Sequence, residues 1–176
     1  MTKLINKGTN AGGSNTNKNG LLYEEITDIS DCYSVINKNK NYSLIKFNIS
    51  NMEFISVKKS QLLKYKTPKV LPGHGCKQPD ECYIDENKKN IFIIEKKFQQ
   101  SAGSVCEKLQ TAPFKKEIYQ TMFPDYQIIY IYCLSEWFKT NCIIELNILQ
   151  KYNIPIFWGD DTKYKSKLIN FIINYK

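Results

Sequence analysis

The stretch Gln78 to Gln100, QPDECYIDENKKNIFIIEKKFQQ, decides the fold of this chain. ECYID is strand-like, ENKK is a polar turn cluster, and NIFIIEKKF is a second strand rich in isoleucine and phenylalanine. A loop of Glu86 to Lys89 would close a β-hairpin with Asp85 facing Asn90, and counting back along both strands brings Asp80 opposite Glu95. Side chains alternate along a strand, so Ile93, Glu95, Lys97 and Gln99 share one face while Phe92, Ile94, Lys96 and Phe98 take the other.

Directly opposed residues on a sheet face have Cβ atoms about 4.5 to 5.5 Å apart, and like charges there repel. Two converging carboxylates form an oxygen site for a hard divalent cation such as Mg²⁺, with Mn²⁺ as a substitute. Such an ion lowers the pKa of bound water and neutralises charge on a phosphoryl oxygen, and the ammonium of Lys97 would stand beside it.

Pro79-Asp80, followed fifteen residues after the aspartate by Glu95-Lys96-Lys97 and extended to ExKxQ by Gln99, resembles the PD-(D/E)XK nuclease superfamily, to which many type II restriction endonucleases belong. The resemblance covers roughly Gly20 to Leu134 and implies a restriction endonuclease-like core, a mixed central β-sheet flanked by helices in an α/β (α+β) fold. It implies a Mg²⁺-dependent DNA endonuclease that hydrolyses phosphodiester bonds in double-stranded DNA. Asp80 and Glu95 would hold the metal, Lys97 would orient or activate water, and Gln99 would be a polar support. The superfamily's first helix often sends a glutamate toward the site, and Gly20-Leu21-Leu22-Tyr23-Glu24 matches that pattern. Glu24 is therefore expected as a catalytic and metal residue, with Glu25 as its substitute. A homodimer on two-fold symmetric DNA is likewise carried over from the resemblance. A structure-selective junction resolvase or repair nuclease of the same fold, and a non-catalytic nucleic-acid-binding module, are the alternatives.

A chain of 176 residues suits one domain, and 42% hydrophobic with 13% aromatic residues suits a globular core. No apolar run reaches the roughly 20 residues that span a bilayer. The start MTKLINKGTNAGGS lacks the apolar centre of a signal peptide. The expectation is a soluble, cytoplasmic protein without a membrane partner. Net charge is +8 with every basic residue a lysine, a field that attracts polyanions through point charges rather than arginine forks. The single histidine, His74, excludes nucleases built on several histidines. Six cysteines without a CxxC pair read as reduced thiols; a zinc site from His74, Cys76 and Cys82 lacks a clear fourth ligand.

Residues 1 to 19 show no periodicity and read as a flexible arm ahead of a single domain from 20 to 176; the arm is either a disordered tail or a segment that orders on DNA through Asn15, Asn17 and Lys18. A helix capped by Asn17 or Asn19 would follow, with Leu22, Ile26, Ile29, Tyr33 and Ile36 as its apolar stripe. YSLIKFNI and MEFISVK read as strands, and Ser60 to Lys66 as a short helix. Ser104 and Glu107 form a capping box opening a helix that Pro113 kinks or restarts. Gln78, Gln100, Ser104 and Lys108 are candidate DNA contacts. Tyr126 to Leu134 reads as a central strand buried on both faces. Trp137 to Lys151 reads as an amphipathic helix, residues 154 to 158 as a short strand, and Lys163 to Tyr175 as a terminal helix whose Lys163, Lys165 and Lys167 form either a solvated face or a phosphate track. The expected order is α, β(β), α, β, β, α, β, α, β, α.

Overall fold

Every residue of ECYID is buried, as are the first seven of NIFIIEKK, so this hairpin must be covered on both faces. The computed structural model describes residues 14–71, 78–101 and 105–176. They form a seven-stranded mixed sheet in the order β1-β2-β3-β4-β5-β6-β7. The strands are β1 (Tyr33–Lys38), β2 (Ser43–Phe47), β3 (Glu53–Val57), β4 (Glu81–Asp85), β5 (Asn90–Lys97), β6 (Gln127–Leu134) and β7 (Ile156–Trp158). Neighbours from β1 to β5 run antiparallel; β5, β6 and β7 run parallel. The chain supplies the helices needed for those parallel crossovers.

The hairpin register matches the expected one from Asp85↔Asn90 to Glu81↔Ile94. Asp85 sets the turn: its Oδ1 accepts from the N–H groups of Asn87 (2.9 Å) and Lys88 (3.0 Å), and Lys89 takes a left-handed φ of 56°. The alternation predicted for β5 is also observed. Ile91 and Ile93 enter one core layer with Cys82, Ile84, Tyr130 and Tyr132; Phe92 and Ile94 enter the other with Tyr83, Ile129 and Ile131.

Helices cover both layers. On the Ile93 side lie α2 (Gln61–Tyr65), α3 (Val105–Gln110), α4 (Ala112–Met122), α5 (Trp137–Asn141) and α6 (Ile143–Lys151), burying Leu62, Leu109, Ala112, Tyr119, Met122, Phe138 and Leu149. On the Phe92 side lie α1 (Ser14–Ile26) and α7 (Tyr164–Asn174), burying Tyr23, Tyr164, Leu168, Ile169 and Ile172. Pro113 sits in the first turn of α4, where its missing N–H costs nothing, so it restarts the helix after α3. No helix of the described residues is long and apolar enough to cross a membrane.

Three expectations are corrected. The first helix begins at Ser14, before Asn17 and Asn19, and stops at Ile26, so Tyr33 and Ile36 belong to β1; residues 1–13 of the expected arm lie outside the described residues. Its buried side chains are Tyr23 and Thr27's neighbourhood rather than the leucine–isoleucine stripe: Leu22 and Ile26 are 54% and 60% exposed. Thr27 donates its hydroxyl to the Tyr23 carbonyl, and Asp28 Oδ1 takes the Ser30 N–H at 2.7 Å, which ends the helix in a polar turn. The helix expected over Trp137 to Lys151 breaks at Cys142 into α5 and α6, leaving Ile144 exposed. The thiols are not all reduced: Cys106 and Cys142 form a disulfide across a Cα–Cα distance of 5.8 Å, while Cys32, Cys82 and Cys133 are free. Cys82 is fully buried, and the other two residues of the zinc reading, His74 and Cys76, lie outside the described residues.

One close approach seats α1. A Cβ built on Gly159, just past β7, would lie 2.2 Å from the Tyr23 hydroxyl and 2.6 Å from Thr27 Cγ2. Gly159→Ala must push α1 off the sheet or displace a buried tyrosine, an overpacking cost of about 1–3 kcal/mol. Thermal unfolding should show Tm lowered by about 2–4 °C for each of those kcal/mol; an unchanged Tm would mean that α1 is not seated by this contact.

Candidate active site

At the end of β5 the alternation divides charge between the two faces. Glu95 and Lys97 stand on the α4 side with Lys115, and Lys96 on the α1 side with Glu81; Asp80, just before β4, lines the cleft on the α1 side. Regular pairing stops at Glu81↔Ile94. Asp80 is not itself paired; its Oδ2 accepts the Lys96 backbone N–H at 2.7 Å, so a side chain finishes the ladder where a backbone carbonyl would. The segment before it is held by Lys59, whose N–H donates to the Pro79 carbonyl at 2.9 Å and whose φ of 49° is left-handed.

On the α4 side Glu95 is 5% exposed, and one of its oxygens, Oε1, takes two ammoniums: Lys97 Nζ at 2.7 Å and Lys115 Nζ at 3.0 Å. Burial pushes the Glu95 carboxyl up, but Lys97 and then Lys115 outweigh it and hold it below the usual range. Asp80 has the opposite balance. Burial, with the charge of Glu95 added to it, raises its carboxyl, and the Lys96 N–H offsets this only in part. Asp80 Oδ1 and Glu95 Oε2 accept no hydrogen bond from the described residues. Behind them on β6, Tyr130 and Tyr132 are fully buried. The Tyr130 hydroxyl has no hydrogen-bond partner of ordinary geometry among the described residues, and burial followed by the charge of Glu95 keeps it protonated.

On the α1 side, Glu81 and Lys96 form an ion pair with side chains 3% and 2% exposed. Tyr83 donates to the second Glu81 oxygen at 3.1 Å, and Lys96 Nζ also reaches the Glu24 carbonyl at 2.9 Å. A buried pair contributes little net stability but is costly to break, so it acts here as a fixed post for α1. Lys58 pairs with Asp28 beside it. A cleft of about 340 Å³ opens between this post and the sheet end, lined by Glu24, Glu25, Lys59, Asp80, Glu81 and Lys96 among others.

The cleft separates the two glutamates of α1. The Glu24 carboxyl is raised by burial and then by Asp80, with Lys59, Lys96 and Lys97 opposing; Glu25 is exposed at the cleft rim. A stripe of Leu22 and Ile26 facing the core would turn Glu24 nearly opposite it, toward solvent. Because Tyr23 is the buried residue, its neighbour faces the acids instead.

Other expected site residues lie elsewhere. Gln99 binds away from the acids: its Nε2 donates to the Ser101 carbonyl at 2.6 Å, and its backbone exchanges hydrogen bonds with the Ser135 hydroxyl, each at 3.1 Å. Gln78, Gln100, Lys18 and Lys108 are exposed; Asn15 and Asn17 fall in the first turns of α1, and Ser104 lies outside the described residues. The track of Lys163, Lys165 and Lys167 is interrupted by acids, since Lys165 pairs with Asp31 at 2.8 Å and Lys167 with Asp161 at 2.5 Å.

Lys115 was not anticipated. The signal for it is the inner face of α4, where positions 112, 115, 119 and 122 fall at helical spacing; Ala112, Tyr119 and Met122 are buried, which carries Lys115 toward the sheet.

The donors suit a hard cation. They are oxygen-only, partly dehydrated, and each acid keeps one oxygen without a donor among the described residues. Among the described residues no trio of acidic side chains brings its oxygens within 4.8 Å of one another; the one group that close is Cys106, Cys142 and Glu145, whose two sulfurs are bonded together. No family model, curated protein or solved structure matches this chain.

A buried Glu95 and a half-buried Asp80 whose charges repel are a stability cost that a binding function would explain. Asp80→Asn keeps an oxygen for the Lys96 N–H while removing the repulsion with Glu95. In chelator at neutral pH the variant should be more stable by on the order of 1 kcal/mol, a rise in Tm of about 2–4 °C. A lower Tm would show that Asp80 is there for structure.

Proposed function

We propose that this chain is a Mg²⁺-dependent DNA endonuclease with a restriction endonuclease-like core, acting on double-stranded DNA. The observation that carries this reading is the gathering of Asp80, Glu95 and Lys97 at one sheet end, with Glu24 brought toward them across the cleft. In chain order α1, the strands β1 to β5 with α2 between β3 and β4, the helices α3 and α4, and the parallel strand β6 supply a helix, an antiparallel meander, crossing helices and a further strand, which supports this reading.

Asp80 Oδ1 and Glu95 Oε2 would hold the ion, and Glu24 would support it from α1. When bound, Mg²⁺ supplies neutralisation of phosphoryl charge and acidifies water. Lys97 holds its ammonium against Glu95, where it can orient the attacking water or stabilise the charge that develops on the phosphate. Tyr130 and Tyr132, buried beneath, exclude solvent from the inner side of the acids. The net charge of +8 would bring the polyanion to the site, as a general attraction. A homodimer placing two such sites about a two-fold axis would cut both strands of a palindrome.

Incubation of mixed-sequence plasmid and of a branched junction with Mg²⁺ tests the reading. Wild type should give discrete plasmid bands, and Asp80→Ala and Lys97→Ala should each lower the cutting rate at least about a hundredfold, since losing about 2.7 kcal/mol of transition-state stabilisation has that effect. Cutting of the junction alone would shift the role to a resolvase. DNA retention without cleavage by wild type would remove the enzyme reading, and full activity in either variant would remove this site from the chemistry.

A further inference from the structure

The unexpected contact at the acid pair is that a single oxygen, Glu95 Oε1, carries two ammoniums from different elements: Lys97 from its own strand and Lys115 from α4. Both lysines are largely covered, their side chains 23% and 17% exposed, so neither is a casual surface pairing. Resting on the cation-site reading above, we propose that Lys115 is a positioning residue that holds the cation's place at Glu95 and is released from it when the metal binds.

Charge balance motivates the exchange. Asp80, Glu95 and Glu24 set three carboxylates against the two ammoniums of Lys97 and Lys115, one surplus negative charge. A divalent cation turns that into one surplus positive charge in a partly buried place, which is unfavourable. Withdrawal of one ammonium restores neutrality, and the withdrawn ammonium matches the single negative charge of a phosphodiester. Lys115 is the lysine that yields. It stands farther from Glu95 than Lys97 does, and it is not tied to the strand that carries the acid. Its helix borders the site from outside the sheet, so a released Lys115 head can reach a phosphate oxygen on that side. The device therefore couples metal entry to substrate attraction: the lysines offset most of the acid charge until the ion arrives, and the displaced amine is then offered to the nucleic acid.

The test measures binding, not cutting. Mn²⁺ is titrated calorimetrically into wild type, Lys115→Gln and Asp80→Asn. Lys115→Gln should bind Mn²⁺ about tenfold more tightly than wild type, equivalent to about 1.4 kcal/mol, and Asp80→Asn should bind far more weakly than wild type. In the unmutated protein, labelling by an amine-reactive ester read by mass spectrometry should rise several-fold at Lys115 on adding Mn²⁺, and should not rise in Asp80→Asn. This second measurement decides the matter if Lys115→Gln does not fold. Wild type and Lys115→Gln binding Mn²⁺ equally, with labelling unchanged, would overturn the displacement while leaving the cation site standing. Absence of Mn²⁺ binding in all three proteins would overturn both.

Discussion

The structure depends on the two-residue period of one strand, applied to a run of charges. At Glu95-Lys96-Lys97 the alternation sends a carboxylate and an ammonium toward α4 and one ammonium toward α1. Glu81, at the start of the neighbouring strand, falls on the Lys96 face, and Asp80 just before it sits at the sheet end where the charge of Glu95 reaches it. One face then receives Glu81 with Lys96, a closed pair with its hydrogen bonds satisfied by Tyr83 and the Glu24 carbonyl. The other receives an excess of acid that only distant help, from Lys115 on α4, brings to balance. A slip of one residue in the β4–β5 register would exchange the two sets and leave neither compensated.

The two faces are coupled through that register. Lys96 offers its backbone N–H to Asp80 and its ammonium to Glu81 and to the end of α1, so one residue fixes an acid of the cleft and the helix that carries Glu24. Gly159 completes the seat by allowing Tyr23 and Thr27 to come against the chain after β7. Glu24 thus points inward because of packing two layers away. The closed ion pair serves geometry, and the open acids are where the proposed chemistry would sit. Such a division is expected where function requires like charges that folding alone would separate.

Legibility in the sequence followed the strength of local periodicity. The hairpin, its turn and its register could be read because isoleucine and phenylalanine alternate without interruption between two polar clusters, and burial on both faces leaves one solution. Tyr126 to Leu134 was equally plain. The first helix was misread because Leu22, Ile26, Ile29, Tyr33 and Ile36 fit a helical period although two of them face outward and two belong to a strand. No local rule shows that a glycine 136 positions after Tyr23 will select the tyrosine for burial. Lys115 was missed because a lysine normally marks the outer side of a helix. The Cys106–Cys142 bridge joins residues 36 apart whose spacing carries no pattern. Gln99 followed a motif rather than an environment, and the Ser101 carbonyl claims its side chain.

The central claim is that Asp80 and Glu95 together hold one divalent cation between oxygens that accept no hydrogen bond from the described residues. Anomalous diffraction from crystals grown with Mn²⁺ measures this directly. The account predicts a single strong peak within bonding distance of Asp80 Oδ1 and Glu95 Oε2, with the Lys115 ammonium moved away from Glu95. A peak elsewhere on the chain, or fully ordered acids with Lys115 still on Glu95 and no peak at saturating Mn²⁺, would contradict it.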